Sequence, residues 1–419
     1  MSIRRGWSVA GLVGGALLVT GAGPAHGAVL QEGDPGERAS VGESTAPEES
    51  PALYVGLERG GGGLFVRGSD FDIRLMGYIQ PTGALFPRSL DRPDAPGAFS
   101  VRRARLDLLA EFQDDYALFV ELDGAPEGRT ALVEAWANWR LRGDGLQIRA
   151  GKFIGRFSAE NTRSSRDLDT VERFMALNSM FLLPALDTQT GAMVHGEGLL
   201  GDRVGYSLGV YNGNGSANVN VPENNAAKEV QAKVEVALRP GLQTAVALDW
   251  TRELEQTLEL VDLGFNTYAA VPVKGRRIGA GGDISWERGD TSLRAELLGF
   301  RFRTPGAPRS GPDGEEPRDV GGNATFHGGF VQSARFLRGG PRRGLQILAR
   351  GEWVRLDAPA AADTDSLHGI TLGLNGFPDA NARVQVNGVL TRSNGPSEHQ
   401  GFETGRWMPM LLAQLQFKL

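Results

Sequence analysis

The feature that most constrains the fold of this chain is a repeated alternation of apolar and polar residues with a period of two. On one such segment Arg102, Leu106 and Leu108 share one face, while Arg103 and Arg105 share the opposite face. This spacing is typical of β-strands and does not fit the 3.6-residue period of a helix. No stretch of the chain contains the roughly 18 consecutive apolar residues of a membrane-spanning helix.

Alternating segments of this kind recur about sixteen times between residues 70 and 419, and the connections between them alternate in length. Those after even-numbered segments are short, such as 113–115 and 240–241, whereas those after odd-numbered segments are long and polar. Short periplasmic turns and long external loops are typical of outer-membrane barrels, which have an even number of strands. The sequence therefore predicts an all-β fold, namely a transmembrane antiparallel β-barrel of about 16 strands.

The connection 154–188 is the longest of all and follows the fifth predicted strand. A loop of this length is unusual in a compact domain, but the lumen of a wide barrel has room for it. We expect this third external loop to fold into the lumen and to form a polar constriction there. A self-paired loop in solvent is the alternative. The candidate constriction residues are its charged side chains Glu160, Arg163, Arg166, Asp167, Glu172 and Arg173.

The N-terminal part of the chain predicts export. Two arginines precede a short apolar run and small residues follow it, which is typical of a secretory signal peptide over 1–27. Residues 28–63 are rich in Glu, Gly, Ser and Pro and predict a low-complexity periplasmic tether, so we assign the barrel to 64–419. The chain has no cysteine, which excludes disulfide-stapled folds and thiolate metal sites. Together these features predict the outer membrane of a Gram-negative-type bacterium.

Three arginines are candidate pore-lining residues. Arg103 and Arg105 project from the polar face of the second predicted strand, and Arg74 projects from the same face of the first. Neighbouring guanidinium groups on a lumen wall would make a track for anions. The alternative is that these arginines form salt bridges with acids of the lumen. The acids in question are Glu111, Glu121, Asp123 and Glu134.

Motifs of catalysis are weak in this chain. A G-x-S-x-G match at 205–209 lies within an alternating segment, whereas that motif needs a strand-turn-helix junction. None of the five histidines is paired at a spacing suited to a metal, and no Walker or dinucleotide-binding glycine pattern occurs. The formal net charge of −6 argues against nucleic acid as a partner. The sequence therefore predicts a protein that is not an enzyme and has no metal or cofactor.

Several short segments, in their order and spacing, match one known family. They are 76–80 (MGYIQ), 99–106 (FSVRRARL), 148–153 (IRAGKF), 206–213 (YSLGVYNG) and 413–417 (AQLQF). Through these segments the chain resembles the phosphate-selective porin O and P family over nearly all of 64–419. The resemblance implies a homotrimer of 16-stranded outer-membrane barrels, embedded in lipid, with the third loop folded inside. It also implies uptake of phosphate, polyphosphate or other small anionic solutes.

The chain departs from that family in its basic residues. Its few lysines are scattered, the 154–188 loop is close to neutral, and the last residue is Leu419 where the family usually has an aromatic residue. We therefore expect passive diffusion of small solutes with a weak to moderate anion preference. A structural or adhesive barrel with a plugged lumen is the alternative, and a secreted β-rich glycan hydrolase is a third possibility.

Overall fold

The computed structural model describes residues 53–85, 98–125, 130–179, 184–213, 228–261, 267–309, 318–357, 365–394 and 405–419. The predicted signal peptide 1–27 and residues 28–52 of the predicted tether lie outside these ranges. These ranges contain three short helices, namely α1 (Ala159–Thr162), α2 (Met175–Ser179) and α3 (Leu199–Asp202), with 3-10 turns at Ser165–Asp167 and Pro184–Leu186. None of the helices in the described ranges is long and apolar enough to cross a membrane.

The other regular structure in the part of the chain that the structure describes is β-sheet. The strands in chain order are β1 (Tyr54–Glu58), β2 (Gly63–Arg67), β3 (Phe71–Leu85), β4 (Ala98–Phe112), β5 (Tyr116–Asp123), β6 (Ala131–Asp144), β7 (Gln147–Ile154), β8 (Thr188–Gly198), β9 (Val204–Tyr211), β10 (Glu229–Arg239), β11 (Leu242–Val261), β12 (Thr267–Arg288), β13 (Thr291–Arg309), β14 (Arg318–Gly340), β15 (Arg343–Asp357), β16 (Asp365–Phe377), β17 (Ala382–Ser393) and β18 (Trp407–Lys418).

Strands β3 to β18 form a closed antiparallel barrel of 16 strands. Each strand pairs with the next, and β18 returns to β3, where Leu412 pairs with Ala84 and Lys418 with Tyr78. Closure gives each of these strands a neighbour on both sides, as a barrel in lipid requires. The predicted fold class is therefore confirmed, and each predicted strand corresponds to one of the strands β3 to β18.

The N-terminal hairpin of β1 and β2 differs from the sequence prediction. β2 pairs with β3, with Val66 opposite Ile73, while the backbone N–H of Leu419 donates to Gly77 O at 2.9 Å. β2 therefore pairs with the part of β3 that lies beyond the end of the C-terminal strand β18. The predicted tether over 28–63 thus includes a strand, β1, that sequence reasoning missed because the Gly60–Gly63 run suggested only flexibility.

The two faces of the barrel wall differ in exposure. On β13 the aliphatic Leu293 and Leu297 are exposed on the outer face, whereas Glu296 on the inner face is buried. Outward aromatic residues lie near the short turns, and the rings of Tyr116 and Trp139 stack with centroids 6.1 Å apart. An apolar band bordered by aromatic residues is the surface that a transmembrane barrel presents to lipid.

The height of the wall varies around the barrel. Strands β5, β7 and β9 have 8 residues each, whereas β12 has 22 and β14 has 23. A tilted strand needs about 9–11 residues to cross the hydrocarbon of a bilayer. Strands β5, β7 and β9 are therefore slightly below this length, although β6 and β8 between them have 14 and 11 residues, whereas β11 to β14 are well above it.

Candidate functional site

The candidate site is the contact between residues 155–187, here called the inner segment, and the inward-facing side chains of the barrel wall. Many of these side chains are buried amides on β14 to β18, so this part of the wall offers both donors and acceptors. The residues concerned are Gln332, Gln346, Asn375, Gln385, Asn387, Gln414 and Gln416.

The amides bind the backbone of the inner segment. Asp169 O accepts hydrogen bonds from Asn375 Nδ2 at 2.7 Å and from Gln385 Nε2 at 3.0 Å. Leu168 O accepts one from Arg383 Nη1 at 2.7 Å. The backbone of this stretch is irregular, so its carbonyl groups have no hydrogen-bond partners in a helix or sheet. The wall side chains supply the donors that these buried carbonyl groups would otherwise lack. They hold this stretch in one conformation.

Further backbone contacts extend this anchoring to both sides. The backbone N–H of Val171 donates to Asn387 Oδ1 at 2.8 Å, which belongs to β17. Gln80 of β3 donates from Nε2 to Ser165 O at 3.2 Å. The stretch 165–171 is therefore bonded to wall strands on both sides of the barrel's closing seam.

Asp169 is the most highly coordinated carboxylate of the inner segment. It accepts hydrogen bonds from Arg294 Nη1 at 2.5 Å, from Gln332 Nε2 at 2.9 Å and from Gln346 Nε2 at 3.2 Å. Burial by itself would raise the pKa of Asp169, but the charges of Arg294 and Arg163 and the hydrogen bond from Gln346 lower the pKa to about 2. Asp169 was not among the predicted residues, because nothing in its local sequence distinguishes it from the other acids of the loop.

Glu160, a predicted constriction residue, is buried as a structural anchor. Its Oε2 lies 2.9 Å from Arg350 Nη2 of β15, and its Oε1 accepts the backbone N–H of Phe174 at 2.9 Å. The Glu160 backbone N–H donates to Glu296 Oε2 of β13 at 2.8 Å. Glu160 thus links the start of the inner segment to its later part and to two wall strands.

An apolar cluster fastens the second half of the inner segment. Phe174 packs on Phe330 of β14, with ring centroids 4.8 Å apart. Helix α2 lies so close to the wall that a Cβ at Gly328 would come within 2.6 Å of the Ala176 Cβ. Glycine at 328 is therefore required for this approach, and the segment is fixed by packing as well as by polar bonds.

A β-bulge on β4 turns Arg102 away from its predicted face. Gln80 pairs with Arg103 and Pro81 with Val101, so Arg102 is an extra residue without a partner on β3. Arg102 binds Glu172 of the inner segment in a bidentate manner, with Nε–Oε1 at 2.8 Å and Nη2–Oε2 at 3.1 Å. The alternation rule had placed Arg102 with Leu106 and Leu108 on the apolar face, and that assignment is wrong because the bulge breaks the period of two.

The same arginine controls the ionisation of Glu172. Burial alone would raise the pKa of this carboxyl, but the charge and hydrogen bonds of Arg102 outweigh burial and lower it. Arg103 lies nearby, with Nη2 at 4.0 Å from Glu172 Oε2, while its Nη1 donates to the Gln80 amide at 3.0 Å. Arg102 is therefore closely paired, whereas Arg103 has a neutral hydrogen-bond partner and only a distant carboxylate.

The two other predicted pore-lining arginines both have close acidic partners. Arg105 pairs with Asp123, Nε–Oδ2 at 2.7 Å, and also with Glu121. Arg74 lies nearer the short turns and pairs with Asp72 at 3.0 Å and with Glu58 of β1 at 2.8 Å. The structure therefore brings Arg103 and Arg105 onto one wall, while Arg74 takes part in the N-terminal hairpin.

The remaining predicted constriction residues bind mainly within the inner segment. Arg163 Nη2 donates to Asp167 O at 2.5 Å, and Arg173 Nη2 donates to Arg163 O at 2.7 Å. Arg166 lies 3.9 Å from Asp107 of β4, and Asp167 is half exposed with Lys418 at 3.9 Å. These side chains stabilise the fold of the segment itself as well as its contact with the wall.

No group of three or more His, Asp or Glu side chains within the described ranges could hold a metal ion. Ser207, the serine of the G-x-S-x-G match, lies in the middle of strand β9 and not at a strand-turn-helix junction.

Comparison with solved structures identifies the fold. OmpF of Salmonella typhi in complex with daunomycin matches with a TM-score of 0.60 at 10% identity, covering 83% of this chain and 98% of that chain. An anion-selective porin from Comamonas acidovorans matches with a TM-score of 0.57 at 12% identity, covering 84% and 100%. The trimer form of the outer-membrane protein OmpT of Vibrio cholerae matches with a TM-score of 0.56 at 12% identity, covering 84% and 100%. No curated protein sequence matches the chain.

The chain therefore has the porin fold, a closed antiparallel β-barrel of 16 strands. Residues 91–246 match the model of the family described as phosphate-selective porin O and P. Over these residues the match agrees with the family resemblance predicted from the sequence motifs.

Proposed function

We propose that this protein is a passive channel for small, mainly anionic solutes, and that the inner segment narrows its lumen. The observation that carries the proposal is the pair of contacts made by Asp169 and Glu172. Asp169 binds Arg294 on β13, while Glu172 binds Arg102 on β4. Counted around the closed barrel of 16 strands, β4 and β13 are seven strands apart, and eight is the largest separation that such a barrel allows. They therefore lie on nearly opposite walls. Residues 169 to 172 are joined by at most about 10 Å of backbone, so these two contacts support a segment that crosses the lumen.

Removal of the bridge tests this geometry. Deleting 160–173 should raise single-channel conductance, because the proposed obstruction is gone. A deletion of equal length at 214–227, in the connection between β9 and β10, is the matched control and should change conductance much less. Conductance that does not rise in the first deletion, measured on a variant that still shows heat-modifiable migration, would refute the constriction.

The anion preference is proposed to depend on Arg103 more than on Arg105. Arg105 has two close carboxylates, whereas Arg103 has only an amide within hydrogen-bond distance. Replacing Arg103 with Gln should shift the reversal potential in a KCl gradient toward cations, while Arg105→Gln should shift it less. Equal shifts would mean that ion pairing on the wall does not determine which arginines attract solutes.

Glu172 is proposed to weaken the same preference. Its carboxylate neutralises Arg102 and lies near Arg103, so it competes with an entering anion for both guanidinium groups. Glu172→Gln should shift the reversal potential toward anions and increase block of KCl current by phosphate. Replacement of Glu172 also removes the ion pair that neutralises Arg102, so a shift toward cations would contradict this role.

The proposed assembly is a homotrimer in which the short-strand sector is buried. Strands β5, β7 and β9 have 8 residues each, below the roughly 9–11 of a spanning strand, so we infer that the side of the barrel that contains them meets other copies of the chain. Leu208 on β9 and Leu297 on β13 are equally exposed in one copy, at 52% each. Because the chain has no cysteine, each can be replaced by Cys and labelled with a fluorophore in turn. Brominated lipid should quench the label at 297 much more than the label at 208, and equal quenching would refute the sector assignment.

The alternative function, a structural barrel with a plugged lumen, is favoured by the dense contact between the inner segment and the wall amides. Asn375, Gln385 and Gln416 are completely buried beneath it. Single-channel recording in KCl separates the two functions, because a plugged barrel gives no steps. Catalysis has no place in either function.

A further inference from the structure

A cluster of arginines lies on the outer face of the barrel at the turn between β14 and β15. Arg335 pairs with the outward-facing Ile347, and Arg338 pairs with the outward-facing Leu345. Paired residues point to the same side of a sheet, so both arginines project away from the lumen. Arg343 is two residues from Leu345 on the same strand and shares that face. All three arginines are exposed.

These arginines lack the acidic partners that the inward-facing arginines have. Within the described ranges, no carboxylate lies within 4.0 Å of Arg335, Arg338 or Arg343. By contrast, Arg105 and Arg294 on the inner face each bind carboxylates at 2.7 Å or less. The outer cluster is therefore a set of unneutralised charges at one place on the barrel.

The geometry of the turn holds these charges together. Gly339 has a φ of +68°, and a Cβ there would overlap the backbone O of Arg343. A Cβ at Gly344 would come within 2.5 Å of the Arg338 backbone O. The two glycines thus allow the strand ends to approach closely, which brings Arg338 and Arg343 side by side. Like charges held this close repel each other unless an anion lies between them.

The surroundings of the cluster are those of a membrane surface. Leu337 is 56% exposed, and Leu345 and Ile347 are also exposed on the same outer face. The neighbouring strands β12 to β14 are the long ones, so this sector faces lipid and not the proposed subunit interface. Arginine at the edge of an apolar surface extends its guanidinium to the headgroup region, where phosphate can bind it bidentately.

We propose that Arg335, Arg338 and Arg343 form a binding surface for the phosphate groups of anionic phospholipids in the periplasmic leaflet. The proposal rests on the membrane orientation of the proposed function, in which the short turns are periplasmic. Zwitterionic lipids carry no net charge to offset three unpaired arginines, so lipids with net negative charge are preferred. The surface would fix the depth at which the long strands β12 to β14 sit in the bilayer. It lies on the side of the barrel opposite to the proposed subunit interface.

The test compares two triple variants of the full-length protein in nanodiscs of phosphatidylcholine containing a tenth of phosphatidylglycerol. Native mass spectrometry after mild detergent release measures how strongly phosphatidylglycerol is enriched around the protein. Replacing Arg335, Arg338 and Arg343 with Gln should lower the enrichment by about fivefold for each arginine removed. Unchanged enrichment would overturn the proposal.

The control triple removes three exposed arginines at other short turns, Arg142, Arg203 and Arg239, and should retain most of the enrichment. An equal fall in this control would also overturn the proposal, because it would indicate a general effect of charge. Inorganic phosphate added at millimolar concentration should not displace the lipid, and displacement would indicate a site for free anions instead.

Channel measurements keep this test separate from the proposed function. The three outer arginines face away from the lumen, so their replacement should leave conductance and reversal potential unchanged. If the wild-type protein gave no conductance steps, the channel proposal would fail while the lipid enrichment could still be measured. A triple variant with normal enrichment refutes the lipid surface and leaves the channel proposal standing.

Discussion

Replacing Asp169 with Asn should loosen the inner segment from the barrel wall. In the folded protein the Asp169 carboxylate binds Arg294 at 2.5 Å and amides of β14 and β15. Asparagine has nearly the same size and can still accept a hydrogen bond, but it has no charge to offer the buried arginine. The substitution therefore removes the ion pair while disturbing the packing little.

The magnitude follows from the ionisation of the group. The pKa of Asp169 falls from 3.8 to about 2, which corresponds to about 2 kcal/mol of preferential interaction with the charged form. Loss of this interaction should raise the population of the detached segment about 30-fold, since about 1.4 kcal/mol is a factor of ten. The barrel itself should remain folded, because its own strand pairing does not involve Asp169.

Hydrogen–deuterium exchange of the peptide covering 165–171 measures this opening directly. In Asp169→Asn exchange should be about 30-fold faster, and single-channel current should become noisier. The matched control is Asp167→Asn, which removes the same charge from the same stretch but whose side chain is half exposed and has cations no nearer than 3.7 Å. Its exchange should stay close to wild type. Equal acceleration in both variants, or none in Asp169→Asn, would refute the reasoning.

The same ion pair predicts a pH dependence with a definite sign. The folded-state pKa of Asp169 is below its free value of 3.8, so its contribution is complete above about pH 4. The contribution decreases as the pH falls through the folded-state pKa near 2. Protection of the 165–171 amides, corrected for intrinsic exchange, should therefore decrease between about pH 4 and 2 in wild type and should not show this step in Asp169→Asn.

Three other changes test the barrel and its packing. Leu297→Arg places a charge on the lipid face and should cost about 2–4 kcal/mol of unfolding free energy near the midplane, measured by urea titration in vesicles. Gly328→Ala should displace helix α2, because the new Cβ would be 2.6 Å from that of Ala176, and should cost about 1–3 kcal/mol in the same assay. Deletion of 31–52 should leave heat-modifiable migration intact, whereas deletion of 53–67 removes the pairing of β2 with β3 and should lower the temperature at which the barrel unfolds.

The wall of the barrel could be predicted from the sequence because its signal is local. Alternation with a period of two needs only neighbouring residues. The alternation of short and long connections then predicts which strand ends are periplasmic and which are external. Leu293 and Leu297, for example, lie on the outer face as their spacing predicts. The same reasoning predicted the strand number, since each strand has its own pattern.

The hairpin of β1 and β2 was missed for a related reason. Its strands have only 5 residues each and are joined by a glycine run, so the local pattern is short and resembles a linker. What orders β1 and β2 is the part of the β3 edge that β18 does not cover, and the extent of that part depends on the register of the closing pair β18–β3, which no local pattern encodes.

The site depended on tertiary structure almost entirely. Arg102 faces inward because Pro81 on the neighbouring strand cannot donate a backbone hydrogen bond and a bulge forms opposite it. Asp169 became an anchor, and Glu172 a partner of Arg102, because residues more than 60 positions away in the chain meet there. Sequence alone determined which side chains of a strand share a face, whereas the closed barrel decided which charges neutralise one another, since that depends on contacts between segments that no local pattern encodes.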